Sequence, residues 1–125
     1  MALRKPDTTV GPFRENDSAE LSMTFIDNTE TPIPGSALLT ATLTLYTEED
    51  DDLTIINSRD HVDILSMIDE DGVFTFALDP EDMAILEDDL LIERHRALIE
   101  WTWPLGQRGS YEIRIVVSNA AKVPA

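Results

Sequence analysis

Apolar and polar residues alternate with a period of two in several stretches of this chain, and this pattern limits its fold more than any other feature. The alternation runs through residues 19 to 25, 39 to 46 and 111 to 117, and its longest example extends from Arg94 to Trp103. Such alternation is typical of a β-strand with one face on a core and the other in water. We therefore expect the chain to fold from strands rather than helices.

Residues that favour turns separate the alternating stretches. Proline and glycine are concentrated between residues 29 and 35, Asp71-Gly72 is a favourable hairpin pair, and two glycines lie between residues 105 and 109. Short apolar or β-branched runs predict further strands over residues 53 to 56 and 73 to 78. Each predicted strand is therefore short and bounded by a turn.

Helical signals are local. The segment from residue 61 to 68 is compatible with one helical turn or with a short strand. Asp79 resembles a helix N-cap, because Pro80 follows at the first helical position and Glu81 and Asp82 lie near the positive end of the helix dipole. Only about one turn is expected there, so no predicted helix is long enough to cover a sheet.

Together these signals predict an all-β fold with about seven short strands. Their spacing indicates an antiparallel β-sandwich of immunoglobulin-like type, with a jelly roll or a small barrel as alternatives. At 125 residues the chain fits one domain. We assign residues 13 to 119 to the sandwich, residues 1 to 12 to an extended N-terminal arm and residues 120 to 125 to a C-terminal tail.

The net charge of −16 is concentrated in one part of the sequence. Between Glu48 and Asp89 there are 16 acidic residues and one basic residue, Arg59, whereas the remaining positions are nearly balanced. A surface with this charge repels nucleic-acid phosphate and anionic lipid and attracts cations or a basic protein. We expect no direct contact with nucleic acid or membrane, and we expect the acidic run of residues 48 to 52 to form a solvated loop.

The chain contains no cysteine, which excludes a disulfide framework, a thiolate zinc site and a cysteine nucleophile. No apolar segment follows the basic residues Arg4 and Lys5, so no signal-peptide pattern is present and synthesis in the cytoplasm is expected. No apolar run approaches the roughly 20 residues that span a bilayer.

A metal site is the first chemistry that the acidic residues suggest. If Gly72 took the glycine position of an EF-hand loop, the closing glutamate would fall on Leu78, so that interpretation fails. Carboxylates at residues 48 to 52, 69 to 71 and 87 to 89 would bind calcium only if they gathered at one end of the sandwich. Solvated loops are the simpler interpretation, and we predict no metal and no cofactor.

Catalysis has little support in the residues. The two histidines, His61 and His95, are not accompanied by a nucleophile-elbow, phosphate-loop or zinc-protease motif. His95 is expected at the rim of its strand face, with Glu93 as a surface partner, rather than as a general base. We therefore predict that the protein is not an enzyme.

The strand from residue 94 to 103 carries two notable pairs. Trp101 and Trp103 share their face with apolar residues, so we expect them to anchor the core rather than to stack on sugars. Arg94 and Arg96 lie on the other face. They are expected to pair with neighbouring strands, with the acidic loops or with another subunit.

Segments in the second half of the chain carry a resemblance to a known family. They are residues 55 to 60 (IINSRD), 72 to 83 (GVFTFALDPEDM), 93 to 103 (ERHRALIEWTW), and 111 to 117 together with Asn119 and residues 122 to 124. From about residue 54 to 124 the chain resembles small virion proteins of tailed bacteriophages. The segments are signatures of a fold and not of catalysis. The resemblance implies an immunoglobulin-like domain that assembles on the capsid or on the neck between head and tail.

The predicted function is that of a virion structural protein, acting in capsid decoration or as a head-tail connector. Its expected partners are major capsid, portal or neck subunits and further copies of itself, and its expected location is the virion. A terminal arm would add to the sheet edge of a neighbour. The candidate partner-binding residues are Arg4, Lys5, Phe13, Glu48, Glu49, Asp50, Asp51, Asp52, Arg94 and Arg96.

Two other functions remain open from the sequence. A carbohydrate-binding or adhesion module would expose its tryptophans and often require calcium. An acidic mimic of DNA that inhibits a host nuclease would account for the charge. Such a mimic needs carboxylates spaced along a surface, however, whereas these are bunched in predicted loops.

Overall fold

Seven strands are present in the part of the chain that the computed structural model describes, namely residues 5–15, 17–27, 29–49, 53–86 and 91–118. The strands are β1 (Thr8–Arg14), β2 (Ala19–Thr24), β3 (Thr40–Thr47), β4 (Val62–Asp63), β5 (Val73–Leu78), β6 (Ile92–Trp103) and β7 (Gln107–Ser118). Short 3-10 helices occur at Gly35–Ala37, Leu65–Met67 and Pro80–Met83. These described residues contain no α-helix, so the prediction of an all-β fold is confirmed. Within them, no helix has the length and apolar character needed to cross a membrane.

The strands form two sheets of unequal size. The larger sheet has the order β1-β7-β6-β3-β4, and the smaller sheet pairs β2 with β5. All pairs are antiparallel except β1 and β7, which are parallel. The larger sheet is therefore mixed, and the prediction of a purely antiparallel arrangement is wrong on this point. Side-chain alternation indicates a strand but does not report its direction.

Residues of both sheets contribute to one apolar core. Phe25, which follows β2, stacks on the indole of Trp101 in β6 with ring centroids 4.8 Å apart. Gly109 of β7 lies against the same indole, and a Cβ at this position would come within 2.6 Å of the ring. A glycine is needed here because the ring occupies the space of a side chain. Other fully buried members of the core include Leu21, Leu43, Leu45, Ile64, Phe74, Ile99 and Val117.

The predicted boundary between arm and domain falls inside β1. Residues 8 to 14 pair with residues 113 to 118 of the same chain, with a register shift between Val10 and Phe13. Both of these side chains pack against the core, which holds the segment on its own sheet. The arm prediction therefore applies only to residues before β1. The predicted C-terminal tail lies outside the described residues.

Two connections differ in part from their predicted structure. Residues 53 to 56 form a single bridge between Ile55 and Tyr46 instead of a strand. The φ angles of 50° at Leu53 and 52° at Asn57 interrupt the extended backbone on both sides of the bridge. The ambiguous segment 61 to 68 contains both alternatives, since β4 is followed by the 3-10 helix Leu65–Met67.

The predicted cap at Asp79 is confirmed. Its side chain accepts the backbone N–H of Asp82 at 3.2 Å, and the side chain of Asp82 accepts the backbone N–H of Asp79 at 2.9 Å. Each carboxylate thus satisfies a backbone donor of the other residue. The capped helix, Pro80–Met83, is one short 3-10 turn, as the sequence indicates.

Candidate functional site

An apolar groove lies between β1 and β2. It has a volume of about 490 Å³. Residues of β1 and β2 form its sides, and residues of β6 and β7 form its floor. The lining residues are Thr8, Val10, Glu20, Leu21, Ser22, Met23, Thr24, Phe25, Ile26, Trp101, Tyr111 and Ile113. We call this site the β1–β2 groove.

One side of the groove is the backbone edge of β2. Residues 20 to 26 all line the groove, although along β2 their side chains alternate between the core and solvent. Residues from both faces of a strand line the same cavity only when the edge of the strand borders that cavity. Among the described residues, β2 is paired with β5 and with no second strand. An edge of this kind carries backbone N–H and C=O groups that are available to another strand.

The floor of the groove is built around Trp101. Its side chain is nearly buried, with 9% of the residue exposed, and it stacks on Phe25. Its buried Nε1–H has no hydrogen-bond partner among the described residues. At the rim, the hydroxyl of Tyr111 is hydrogen-bonded to that of Thr8. A mainly apolar floor with a few polar groups at its margin suits an aliphatic side chain.

The opposite face of the larger sheet carries a buried ionic network. Glu48 accepts hydrogen bonds from Arg96, and from Arg114 at 2.7 and 3.0 Å. The side chain of Glu48 is only 5% exposed. Tyr46 donates to Glu112 at 3.0 Å, and burial together with this hydrogen bond raises the pKa of Tyr46 to about 12. The hydrogen bonds to Glu48 raise the pKa of Arg114 above its ordinary value.

The second residue of the acidic run is also paired. Glu49 accepts hydrogen bonds from the Arg94 guanidinium at 2.8 and 3.2 Å and from the Arg94 backbone N–H at 2.9 Å. The guanidinium of Arg94 holds the pKa of Glu49 below its usual range. The prediction of a solvated loop is therefore wrong for Glu48 and Glu49, because arginines spaced two apart on β6 neutralise them.

A second ionic cluster joins the β3–β4 and β5–β6 connections. The Arg59 guanidinium donates to Asp82 at 3.0 and 3.2 Å and to Asp79 at 3.1 Å. Asn57 donates to Asp82 at 2.9 Å. The guanidinium carbon of Arg59 also lies 5.1 Å from the centroid of the Phe76 ring. Arg59, the one basic residue between Glu48 and Asp89, therefore links these two connections.

The pair predicted at the rim of β6 is buried. Glu93 and His95 are both fully inaccessible and are hydrogen-bonded through His95 Nε2. The backbone N–H of Leu86 donates to the Glu93 carboxylate at 3.0 and 3.1 Å. Glu93 is therefore the partner of His95, but the prediction of a surface pair is wrong, because the segment ending at Leu86 covers this end of β6.

Histidine and carboxylate side chains also meet at the surface. His61 Nδ1 lies 2.6 Å from Asp60, and Nε2 lies 3.6 Å from Glu100. All three side chains are 45% to 65% exposed, so water has free access to them. Within the described ranges, no group of three or more potential ligands is placed to hold a metal ion.

The sequence-predicted residues are distributed over several surfaces. Lys5 is exposed, and Phe13 is half-buried in β1 against the core. Trp101 belongs to the core, and Trp103 is partly buried and packs against it. The structure does not bring these residues together with Arg94 and Arg96 in one site. Arg4, Asp50, Asp51 and Asp52 lie outside the described residues.

Sequence reasoning missed the β1–β2 groove. The alternation of residues 19 to 25 indicates which β2 side chains face the core, but it does not indicate which neighbours the strand has. The groove depends on two features of the described part of the chain: β2 has no second partner strand, and β1 joins the other sheet. Strand pairing of this kind is set by tertiary contacts that a local pattern does not contain.

Comparison with known proteins gave no match of any of three kinds. No protein-family model matches the chain, and no match was found among curated proteins or among solved structures.

Proposed function

We propose that this protein is a non-enzymatic structural protein of a tailed-bacteriophage virion, which assembles with capsid subunits or with subunits of the head-tail neck. The observation that carries the proposal is the β1–β2 groove, where an apolar floor lies beside an edge of β2 that no other described strand occupies. The resemblance of residues 54 to 124 to small virion proteins supplies the biological setting.

The framework we propose is an immunoglobulin-like sandwich. The order β7-β6-β3-β4 corresponds to the G-F-C-C′ sheet of such domains, and β2-β5 corresponds to strands B and E of the opposite sheet. The shared core is consistent with two packed layers. The Phe25–Trp101 stack links the residue after β2 to β6, and the corresponding strands are the ones that a disulfide joins in antibody domains.

The segments that carry the resemblance contact one another. Asn57 and Arg59 of the first segment bond to Asp79 and Asp82 of the second. Contacts between these segments support the proposal that the likeness extends to the architecture. They also give the charged and polar positions of these two segments a structural role.

The open edge of β2 favours an assembly function. A two-stranded sheet leaves part of the apolar surface of a five-stranded sheet uncovered, and the groove is that uncovered part. In an isolated protein an open strand edge beside apolar surface promotes unwanted association. In an assembly, the same feature binds an extended segment of a neighbour by strand addition.

Particle composition tests this proposal. Intact virus particles are purified by density gradient, and the protein is quantified relative to the major capsid protein. We expect it to copurify with particles, in hundreds of copies for capsid decoration or about a dozen for a neck subunit. Its absence from washed, intact particles would overturn the proposal.

The structure gives no support to the two other functions. Trp101 is buried and Trp103 is partly buried, so they do not form an exposed platform for sugar rings. Glu48, Glu49 and Asp82 are ion-paired within the chain, which reduces the carboxylate surface available to imitate DNA.

A further inference from the structure

We propose that the β1–β2 groove holds residues 1 to 6 of a second copy of this chain, added to β2 as an antiparallel strand. This inference rests on the proposed function, because it names the neighbour that the groove receives. It concerns contacts between copies and not the place of the protein on the particle.

The place where β1 begins relative to β2 bears on which copy can supply the added strand. β2 runs back beside β1 after a short connection, so Thr8 lies near the end of β2, where Ile26 also lines the groove. The backbone N–H of Asp7 still donates to the carbonyl oxygen of Glu112 at 2.8 Å, which holds the chain at Asp7 on the edge of β7. To run along Glu20, it would have to reverse direction just before Asp7. A second copy needs no such reversal.

The segment matches β2 in length. Six extended residues span about 20 Å at roughly 3.3 Å per residue. β2 itself has six residues, from Ala19 to Thr24. In the register described below, residues 1 to 5 pair with residues 19 to 23 of β2.

One antiparallel register brings apolar side chains to the floor of the groove. In it, Leu3 lies opposite Leu21 and Met1 lies opposite Met23. Leu21 is buried and Met23 half-buried, and both line the groove. Opposite residues of paired strands point to the same face, so Leu3 and Met1 both point to the floor.

The same register places compatible residues on the outer face. Arg4 lies opposite Glu20 and Ala2 lies opposite Ser22, and both β2 residues are exposed. An arginine opposite a glutamate stabilises a strand pair, and a small residue opposite serine avoids crowding. In a chain with a net charge of −16, a basic segment also lowers the repulsion between two copies.

Disulfide trapping tests the register, because the chain has no cysteine of its own. One preparation carries Ala2→Cys and a second, distinguishable by mass, carries Ser22→Cys. The two are mixed under mild oxidation, since directly opposite residues come close enough for a disulfide. We expect the mixed dimer to exceed both homodimers at least tenfold.

The control replaces the partner position by its neighbour on the far side of β2. Thr75 of β5 is exposed and pairs with Ser22, away from the groove. Ala2→Cys should not cross-link to Thr75→Cys above background. Equal cross-linking to both positions, or no enrichment of the Ser22 product, would overturn the proposal. So would an intrachain disulfide as the main product of the Ala2→Cys, Ser22→Cys double variant.

A second measurement compares the effect of a charge on the inner face and on the outer face of the added strand. Leu3→Asp places a charge on the apolar floor, whereas Ala2→Asp places the same charge on the outer face. Sedimentation of the full chain should show self-association weakened about tenfold or more by Leu3→Asp and much less by Ala2→Asp. Equal effects would contradict the proposed register. If cross-linking fails while the native protein still copurifies with particles, this inference falls and the proposed function stands.

Discussion

Arg59 and Asp82, which are 23 residues apart in sequence, form an ion pair between two connections with an Nε to Oδ1 distance of 3.0 Å. Asp82 is fully buried and Arg59 is 25% exposed. Burial raises the pKa of Asp82, but hydrogen bonds from Arg59 and Asn57 outweigh it, so the pKa lies below its usual value. The charge of Asp82 therefore depends on its hydrogen-bond donors.

Removal of the Arg59 side chain should destabilise the fold strongly. Arg59→Ala leaves the buried carboxylate of Asp82 without its main cation, which costs about 2–4 kcal/mol in the free energy of unfolding. Urea denaturation at neutral pH measures this loss. Arg94→Ala is the matched control, because Arg94 also pairs with a carboxylate, that of Glu49, but is 51% exposed. Its loss should stay near or below about 1 kcal/mol, and equal losses for both variants would contradict the assignment.

Acid should weaken the fold through the same carboxylates. The pKa values of Asp82 and Glu49 are lowered in the folded state, so their stabilisation is complete above the unfolded values of about 4 and is lost as the pH falls through the folded ones. Asp79 has the opposite sign, because burial and the charge of Asp82 raise its pKa. Protonation of Asp79 therefore favours the fold and partly offsets the loss.

Asp82→Asn isolates the contribution of one group. Free energies of unfolding are measured for the native protein and the variant at several pH values from 7 down to about 3. The stability difference between them should be largest near neutral pH and shrink toward zero in acid. A difference that stays constant with pH would show that the charge of Asp82 does not stabilise the fold.

Local patterns predict some of these features and leave out others for physical reasons. Alternation locates β2, β3, β6 and β7, because a strand between core and solvent must alternate. The cap at Asp79 is equally local and is also predictable. Other features depend on which segments meet in space. These are the parallel pairing of β1 with β7, the burial of Glu93 and the edge of β2 that no described strand occupies. Composition showed an acidic third of the chain, but only the fold shows that arginines of β6 and β7 neutralise part of it.

Tyr46 should titrate late and limit stability in alkali. Burial and the hydrogen bond to Glu112 raise its pKa to about 12, so the folded state keeps a proton that the unfolded chain releases near pH 10. This contribution is complete below about pH 10 and is lost as the pH rises through about 12. Tyrosinate absorbance of the folded protein should show one transition near 12. Tyr46→Phe should remove that transition, whereas Tyr111→Phe should retain it.

Glu93 should be among the residues whose truncation costs most. Its carboxylate lies in a fully buried pair with His95 and accepts the N–H of Leu86, so Glu93→Ala leaves both donors without this acceptor. Loss of one partner of a buried pair typically costs about 3–5 kcal/mol. Glu100→Ala is the control, because Glu100 lies on the other face of β6 with its side chain 45% exposed, and its truncation should cost less than about 1 kcal/mol.

Hydrogen exchange at the Leu86 amide adds a local readout. Glu93→Gln keeps an acceptor and should protect that amide better than Glu93→Ala, and equal exchange in the two variants would show that Glu93 does not hold the segment ending at Leu86 against β6.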